Sequence, residues 1–122
     1  MANSDTTTGR ILLSVASAVG ASGVAAAAAA SHAGDSRNLA AIAAICLAHG
    51  PALLALGLFA RGRLLNISAL LLACGTLIFV GDLAMREWVG RSLFAGAAPL
   101  GGMGMIAGWL MILVAAWAGR RN

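Results

Sequence analysis

Charged positions cut this chain into four long apolar runs. The charges fall at Asp5, Arg10, Asp35, Arg37, Arg61, Arg63, Asp82, Arg86, Glu87, Arg91, Arg120 and Arg121. Between them the uncharged stretches cover residues 11–34, 38–60, 64–81 and 92–119. A bilayer core about 30 Å thick needs about 20 apolar residues at about 1.5 Å rise each. Each run is close to that length or longer, so the pattern predicts four transmembrane helices, near residues 10–31, 39–60, 64–85 and 99–118. The expected fold class is all-α, an integral membrane bundle. Residues 1–9 are polar and read as a flexible tail, and 120–122 as a basic end. Nothing is left over for a soluble domain.

Composition agrees with the pattern. Hydrophobic residues make up 61% of the 122 positions and charged residues only 10%, against roughly 25% charged in an ordinary soluble domain. Mean hydropathy is +0.92. These values exclude a disordered chain and a disulfide-stapled secreted module. The net charge of +4 would suggest nucleic acid in a soluble protein. Here every basic residue is an arginine at a helix end or in a short connection, so the charge reads as a topology signal and no nucleic-acid partner is expected.

Connections between the spans are short, and Arg61-Gly62-Arg63 is the shortest. Helices 1, 2 and 3 should therefore be antiparallel neighbours. Arg10, Arg61, Arg63, Arg120 and Arg121 gather at one end. Arg37, Arg86 and Arg91, offset by Asp35 and Glu87, gather at the other. The positive-inside rule then puts both termini in the cytoplasm. Residues 10–33 also resemble a secretory signal (Arg10, an apolar core, small residues near Ala33), but the run exceeds the usual apolar region and three spans follow it, so helix 1 is read as retained. Trp88 and Trp117 lie where interfacial aromatic belts are expected. Pro99 suits the first turn of helix 4.

Small residues fill the spans. Ala16, Gly20, Gly23 and Ala27 share nearby faces of helix 1. Gly104 and Gly108 form a GxxxG pair, with Gly101 and Gly102 above them and Trp109 beside them. Such residues let helices approach closely in lipid. GxxxG is common, so it indicates close packing without specifying a dimer.

His49 sits near mid-bilayer in helix 2, followed by Gly50 and Pro51. Pro51 frees a backbone carbonyl one turn earlier and should kink the helix. An ionisable group at that depth is a functional candidate. The alternative is a neutral histidine completing a kinked core, and this takes precedence over proton transfer. Asp82 lies toward the outer end of helix 3, about level with Ala29 of helix 1, with His32 roughly one turn further out. It could bond His32, pair with Arg86 at i,i+4, or extend to the interface. His32, His49 and Asp82 thus form the candidate intramembrane polar set. Glu87 and Arg91, also i,i+4, read as a solvated pair. Cys46 and Cys74 lack CxxC spacing and read as packing residues. The depths of His32, His49, Cys46 and Cys74 differ too much for one tetrahedral metal site. The methionines are dispersed, and the helix 4 glycines have no strand context for a dinucleotide fingerprint. No catalytic constellation emerges, so neither enzymatic activity, nor a cofactor, nor a soluble substrate is expected.

Several motifs in order carry a resemblance: Ser31-His32 at the end of helix 1, His49-Gly50-Pro51-Ala52-Leu53 in helix 2, Phe79-Val80-Gly81-Asp82-Leu83 in helix 3, then Pro99-Leu100-Gly101-Gly102 and Gly108-Trp109 in helix 4. Together they resemble the YgdD-like family of small membrane proteins, domain-of-unknown-function family 423, whose eukaryotic branch is transmembrane protein 256. The resemblance covers nearly the whole chain after residue 10. It differs where Gly50-Pro51 replaces the family's Ala-Leu, in a shorter first loop, and in lacking a glycine just before Ser31-His32. It implies a four-helix inner-membrane protein and no established activity. The expectation is a non-enzymatic structural or accessory membrane component, within a larger complex or a homo-oligomer. The alternative is a small oligomeric transporter or proton-linked carrier using His49 and Asp82.

Overall fold

The computed structural model describes residues 2–118, with side chains from residue 6. Four helices follow one another: α1 (Ala2–His32), α2 (Arg37–Phe59), α3 (Arg63–Trp88) and α4 (Ala97–Ala118). All four are long and apolar enough to cross a membrane. The basic end at 120–122 lies outside the described residues.

All four helices start earlier than expected, and α1 and α3 also end later, while α2 stops one residue short at Phe59 and α4 ends as expected at Ala118. Backbone from Ala2 onward is helical where a flexible tail was expected at 1–9. Helices gain most of their stability from packing, and this segment has a partner: a Cβ added at Gly9 would lie 3.1 Å from the Gly57 carbonyl of α2. Ser36 caps α2, its Oγ accepting the Leu39 N–H at 3.2 Å. This brings Arg37 into the helix. α3 runs on to Trp88 because Arg86 and Glu87 are both tied down, as described below. The turn into α3 has positive φ at Gly62 (88°), a conformation that side chains oppose. α2 continues through Pro51 as one helix.

The bundle consists of two tight antiparallel pairs, α1 with α2 and α3 with α4. The pairs join mainly through α2 and α3, and α1 touches α3 more lightly. Among the described residues no α4 backbone comes within 8 Å (Cα to Cα) of α1 or α2. One core cluster, around Leu12, Leu53, Leu72 and Met105, fills the meeting of the pairs. A second, around Val19, Ile42 and Cys46, fills the half nearer the α1–α2 connection.

Glycines set the closeness of both pairs. In α1–α2, a Cβ at Gly50 would stand 3.1 Å from the Gly20 Cα, and one at Gly23 would stand 2.9 Å from the Cys46 Cβ. In α3–α4, a Cβ at Gly101 would stand 2.5 Å from the Phe79 backbone nitrogen, and one at Gly75 only 2.7 Å from the Met105 nitrogen. Gly104 and Gly108 also face α3, against Gly75 and Leu72. The GxxxG pair is thus used inside the chain. Gly102 differs, since a Cβ there would meet only the Phe79 ring edge, at 4.0 Å.

The outward surface is apolar. Phe59, Trp88 and Trp117 are 75%, 68% and 65% exposed. In water such a surface would aggregate, whereas in a bilayer it is the lipid contact. The two tryptophans stand at opposite ends of the bundle, as interfacial belts require.

Candidate functional site

His49 is almost fully buried in α2. Its Nε2 accepts the indole N–H of Trp109 at 3.1 Å, and its Nδ1 lies 3.0 Å from the Ile45 carbonyl one turn back. An indole nitrogen only donates, so Nε2 is the acceptor and the proton is on Nδ1. The ring is then a neutral tautomer with both nitrogens engaged, which meets the demand for satisfied polar groups in lipid. The two rings meet edge to face, with centroids 5.8 Å apart and planes at 71°. His49 therefore bonds the Ile45 carbonyl and not the Leu47 carbonyl that Pro51 releases.

Asp82 is fully buried near the α1–α2 and α3–α4 connections. One carboxylate oxygen accepts Arg86 Nε at 2.8 Å, and the other accepts the Leu93 N–H at 2.8 Å. The carboxylate also faces the first turn of α4, near the Ala98 amide. A carboxylate is well placed there, because unsatisfied amides and the helix dipole make a helix N-terminus electropositive. Asp82 thus pins the α3–α4 connection to α3. Of the three options for Asp82, the Arg86 pair is the one realised. His32 is exposed and does not bond it.

Glu87 reaches across to α2. Its Oε2 accepts Ser36 Oγ at 2.9 Å and Asn38 Nδ2 at 3.3 Å. This replaces the solvated Glu87–Arg91 pair expected from spacing: the half-buried carboxylate finds donors that cap a neighbouring helix, while Arg91 stays exposed. Cys46 is buried in the second core cluster, but Cys74 is exposed and not a core residue. Buried Ser68 and Thr76 each donate to their own helix one turn back, at 2.7 Å, a common satisfaction of hydroxyls in apolar helices.

The structure thus separates the sequence-predicted polar set. His49 lies in a mid-span link, Asp82 in a strap about two helical turns away along α3, and His32 at the surface. Among the described residues, no three His, Cys, Asp or Glu side chains converge to hold a metal ion. Trp109, expected as a packing residue, is the histidine's partner. Ser36, Asn38 and the Leu93 amide had no signal in sequence spacing, since each acts through a contact distant along the chain.

These features define a four-helix membrane-spanning bundle whose buried polar groups are bonded within the chain. The chain belongs to the DUF423 family, described as a protein of unknown function, whose model matches residues 16–102. That match takes in α1 from Ala16 through the first turns of α4 and includes both His49 and Asp82. No curated protein and no solved structure matches the chain.

Proposed function

We propose that this protein is a non-enzymatic structural or accessory component of a larger assembly in the cell inner membrane. The observation that carries the reading is the one-sided packing of α4. Its backbone meets only α3, and its opposite flank presents Met103, Ile106, Leu110, Leu113 and Trp117. These residues recur at alternating steps of three and four, the spacing of a helix-pairing seam. Each is more than half exposed. Gly101, Gly104 and Gly108 are already packed against α3, and this stripe is the face of α4 that remains open to a partner.

The arginine distribution supports an orientation with the start of α1 and the end of α4 toward the cytoplasm. Arg10, Arg61 and Arg63 stand at that end and the sequence continues after α4 with Arg120 and Arg121, whereas Arg37, Arg86 and Arg91 belong to the other end, where Arg86 pairs with Asp82. The carrier alternative draws less support, because His49 and Asp82 belong to separate hydrogen-bonded sets.

Photo-crosslinking from Ile106 and Leu113 in intact membranes, followed by gentle detergent extraction and mass spectrometry, tests the proposal. One stoichiometric protein adduct through α4 is the expected result. Adducts to lipid alone from both positions would overturn it.

A further inference from the structure

At the end of the bundle that holds the α2–α3 turn, a groove of about 440 Å³ opens between α1 and α2. Its lining includes Arg10, Arg61, Leu13 and Leu58, with Gly9 and Gly57 between them. The volume falls in the range of small-ligand clefts, about 300–1,000 Å³. Its floor is backbone: the two glycines bring the helices so close that a Cβ at Gly9 would stand 3.1 Å from the Gly57 carbonyl. Its walls divide by chemistry. Leu13 and Leu58 continue into the apolar span, and the two arginines stand where the span ends.

Arg61 is positioned by its own helix. Its Nη1 donates to the Ala60 carbonyl at 3.0 Å and lies 3.5 Å from the Leu58 carbonyl, at the C-terminus of α2. A guanidinium carries five N–H donors in a fixed fork that matches phosphate oxygens. The anchoring bonds use one nitrogen of the three, so the fork is oriented before any ligand arrives. Arg10, Arg61 and Arg63 belong to this end against Asp5 in the sequence, while Asp35, Asp82 and Glu87 stand at the opposite end, so the balance of charge around this groove favours an anion.

We infer that the Arg10–Arg61 groove binds the phosphate headgroup of an anionic phospholipid. The two guanidiniums hold the phosphate, and the lipid's chain lies along Leu13 and Leu58. A basic pocket between helix ends, at the level of the lipid headgroups, is the setting in which such recognition occurs. The rival is that these arginines act only as diffuse topology signals, which predicts no dependence on particular side chains.

Native mass spectrometry of the full chain in mild detergent decides between them. Phosphatidylglycerol and phosphatidylcholine with identical acyl chains are the probes. The wild-type chain is expected to retain phosphatidylglycerol in preference to phosphatidylcholine. That preference should fall about fivefold for each of Arg10→Gln and Arg61→Gln. It should hold in Arg37→Gln at the opposite end, and fall in the Arg10→Lys, Arg61→Lys double variant, which keeps both charges but loses the fork. Equal retention of the two lipids by the wild type overturns the proposal without any variant having to fold. So does an Arg37→Gln loss as large as that of Arg10→Gln or Arg61→Gln, which indicates diffuse charge. Displacement of phosphatidylglycerol by millimolar inorganic phosphate, irrespective of acyl chain, assigns the groove to free phosphate and overturns the lipid.

Discussion

The indole N–H of Trp109 donates to Nε2 of His49 at 3.1 Å, across two helices whose Cα atoms nowhere approach within 8 Å. Two long side chains thus tie the outer helix, α4, to the pair on the far side of α3. The bond also decides the chemistry of the histidine. With Nε2 occupied by a donor and Nδ1 directed at the Ile45 carbonyl, the ring has no free nitrogen with which to pass a proton.

A double-mutant cycle measures this link. Trp109→Phe keeps the ring and removes the donor, leaving Nε2 unsatisfied. Interhelical hydrogen bonds in membrane proteins average about 0.6 kcal/mol, with a maximum near 1.7 kcal/mol. Unfolding of Trp109→Phe in mixed micelles should show a loss in that range. Adding His49→Leu should then produce a further loss smaller than His49→Leu causes alone. Strictly additive losses would mean that the two rings do not interact. Proton flux in liposomes supplies a second readout, and His49→Ala should leave it at the level of the wild type.

The α3–α4 seam makes a sharper prediction, because adjacent glycines should respond oppositely. A Cβ at Gly101 would run into the Phe79 backbone at 2.5 Å, which cannot yield as a flexible side chain can. Gly101→Ala should destabilise the fold by about 1–3 kcal/mol, the usual range for overpacking. Gly102→Ala meets only a ring edge at 4.0 Å and should stay within about 0.5 kcal/mol of wild type. Equal effects at the two positions, read by the same unfolding assay, would falsify the assigned face of α4.

Depth along the membrane was legible in the sequence, whereas direction around each helix was not. Charge spacing located four spans, and the short Arg61-Gly62-Arg63 turn fixed α2 and α3 as a hairpin. Counting back from that turn sets His49 level with Gly75, and Gly75 packs against Gly104 and Met105. Trp109 is thus about one turn from the level of His49, within reach of a long side chain. What the count lacks is azimuth. These helices are apolar on nearly all sides, so no amphipathic stripe marks the inward face. That is why Gly102 was grouped with Gly101, and why exposed Cys74 was grouped with buried Cys46. Glu87 was misassigned for a related reason: i,i+4 spacing offered Arg91 as a partner, and nothing local advertised the N-cap of another helix.

Asp82 should rank as the most sensitive polar position. Its carboxylate takes Arg86 on one oxygen and the Leu93 amide on the other, so its removal frees a cation and a backbone donor together. Buried groups left without partners are more damaging than the original bond was stabilising. Asp82→Ala should lower the unfolding midpoint more than Arg86→Ala, whose guanidinium is half exposed. Asp82→Asn should fall between wild type and Asp82→Ala, since its amide oxygen still accepts from Leu93. Proteolysis of the 89–96 connection should speed up in the same order. A connection equally resistant in all three variants would show that Asp82 does not hold it.

Glu87 offers a test of how α2 is fixed at its start. Ser36 Oγ both accepts the Leu39 N–H and donates to Glu87 Oε2, so the hydroxyl serves cap and interhelical link together. An N-cap serine contributes about 1 kcal/mol. Ser36→Ala should lose at least that, because Glu87 loses its nearer donor as well. Glu87→Gln keeps an acceptor for Ser36 and should be mild, while Glu87→Ala should be intermediate. In the Ser36→Ala, Glu87→Ala pair, the combined loss should fall short of the sum, as expected for groups in one network. Hydrogen exchange localises the effect: the Leu39 amide should exchange faster in Ser36→Ala than in Glu87→Ala, because Glu87→Ala leaves the cap itself in place. Equal acceleration in both variants would mean that the cap depends on Glu87, and that the N-terminus of α2 is set by α3 and not by its own serine.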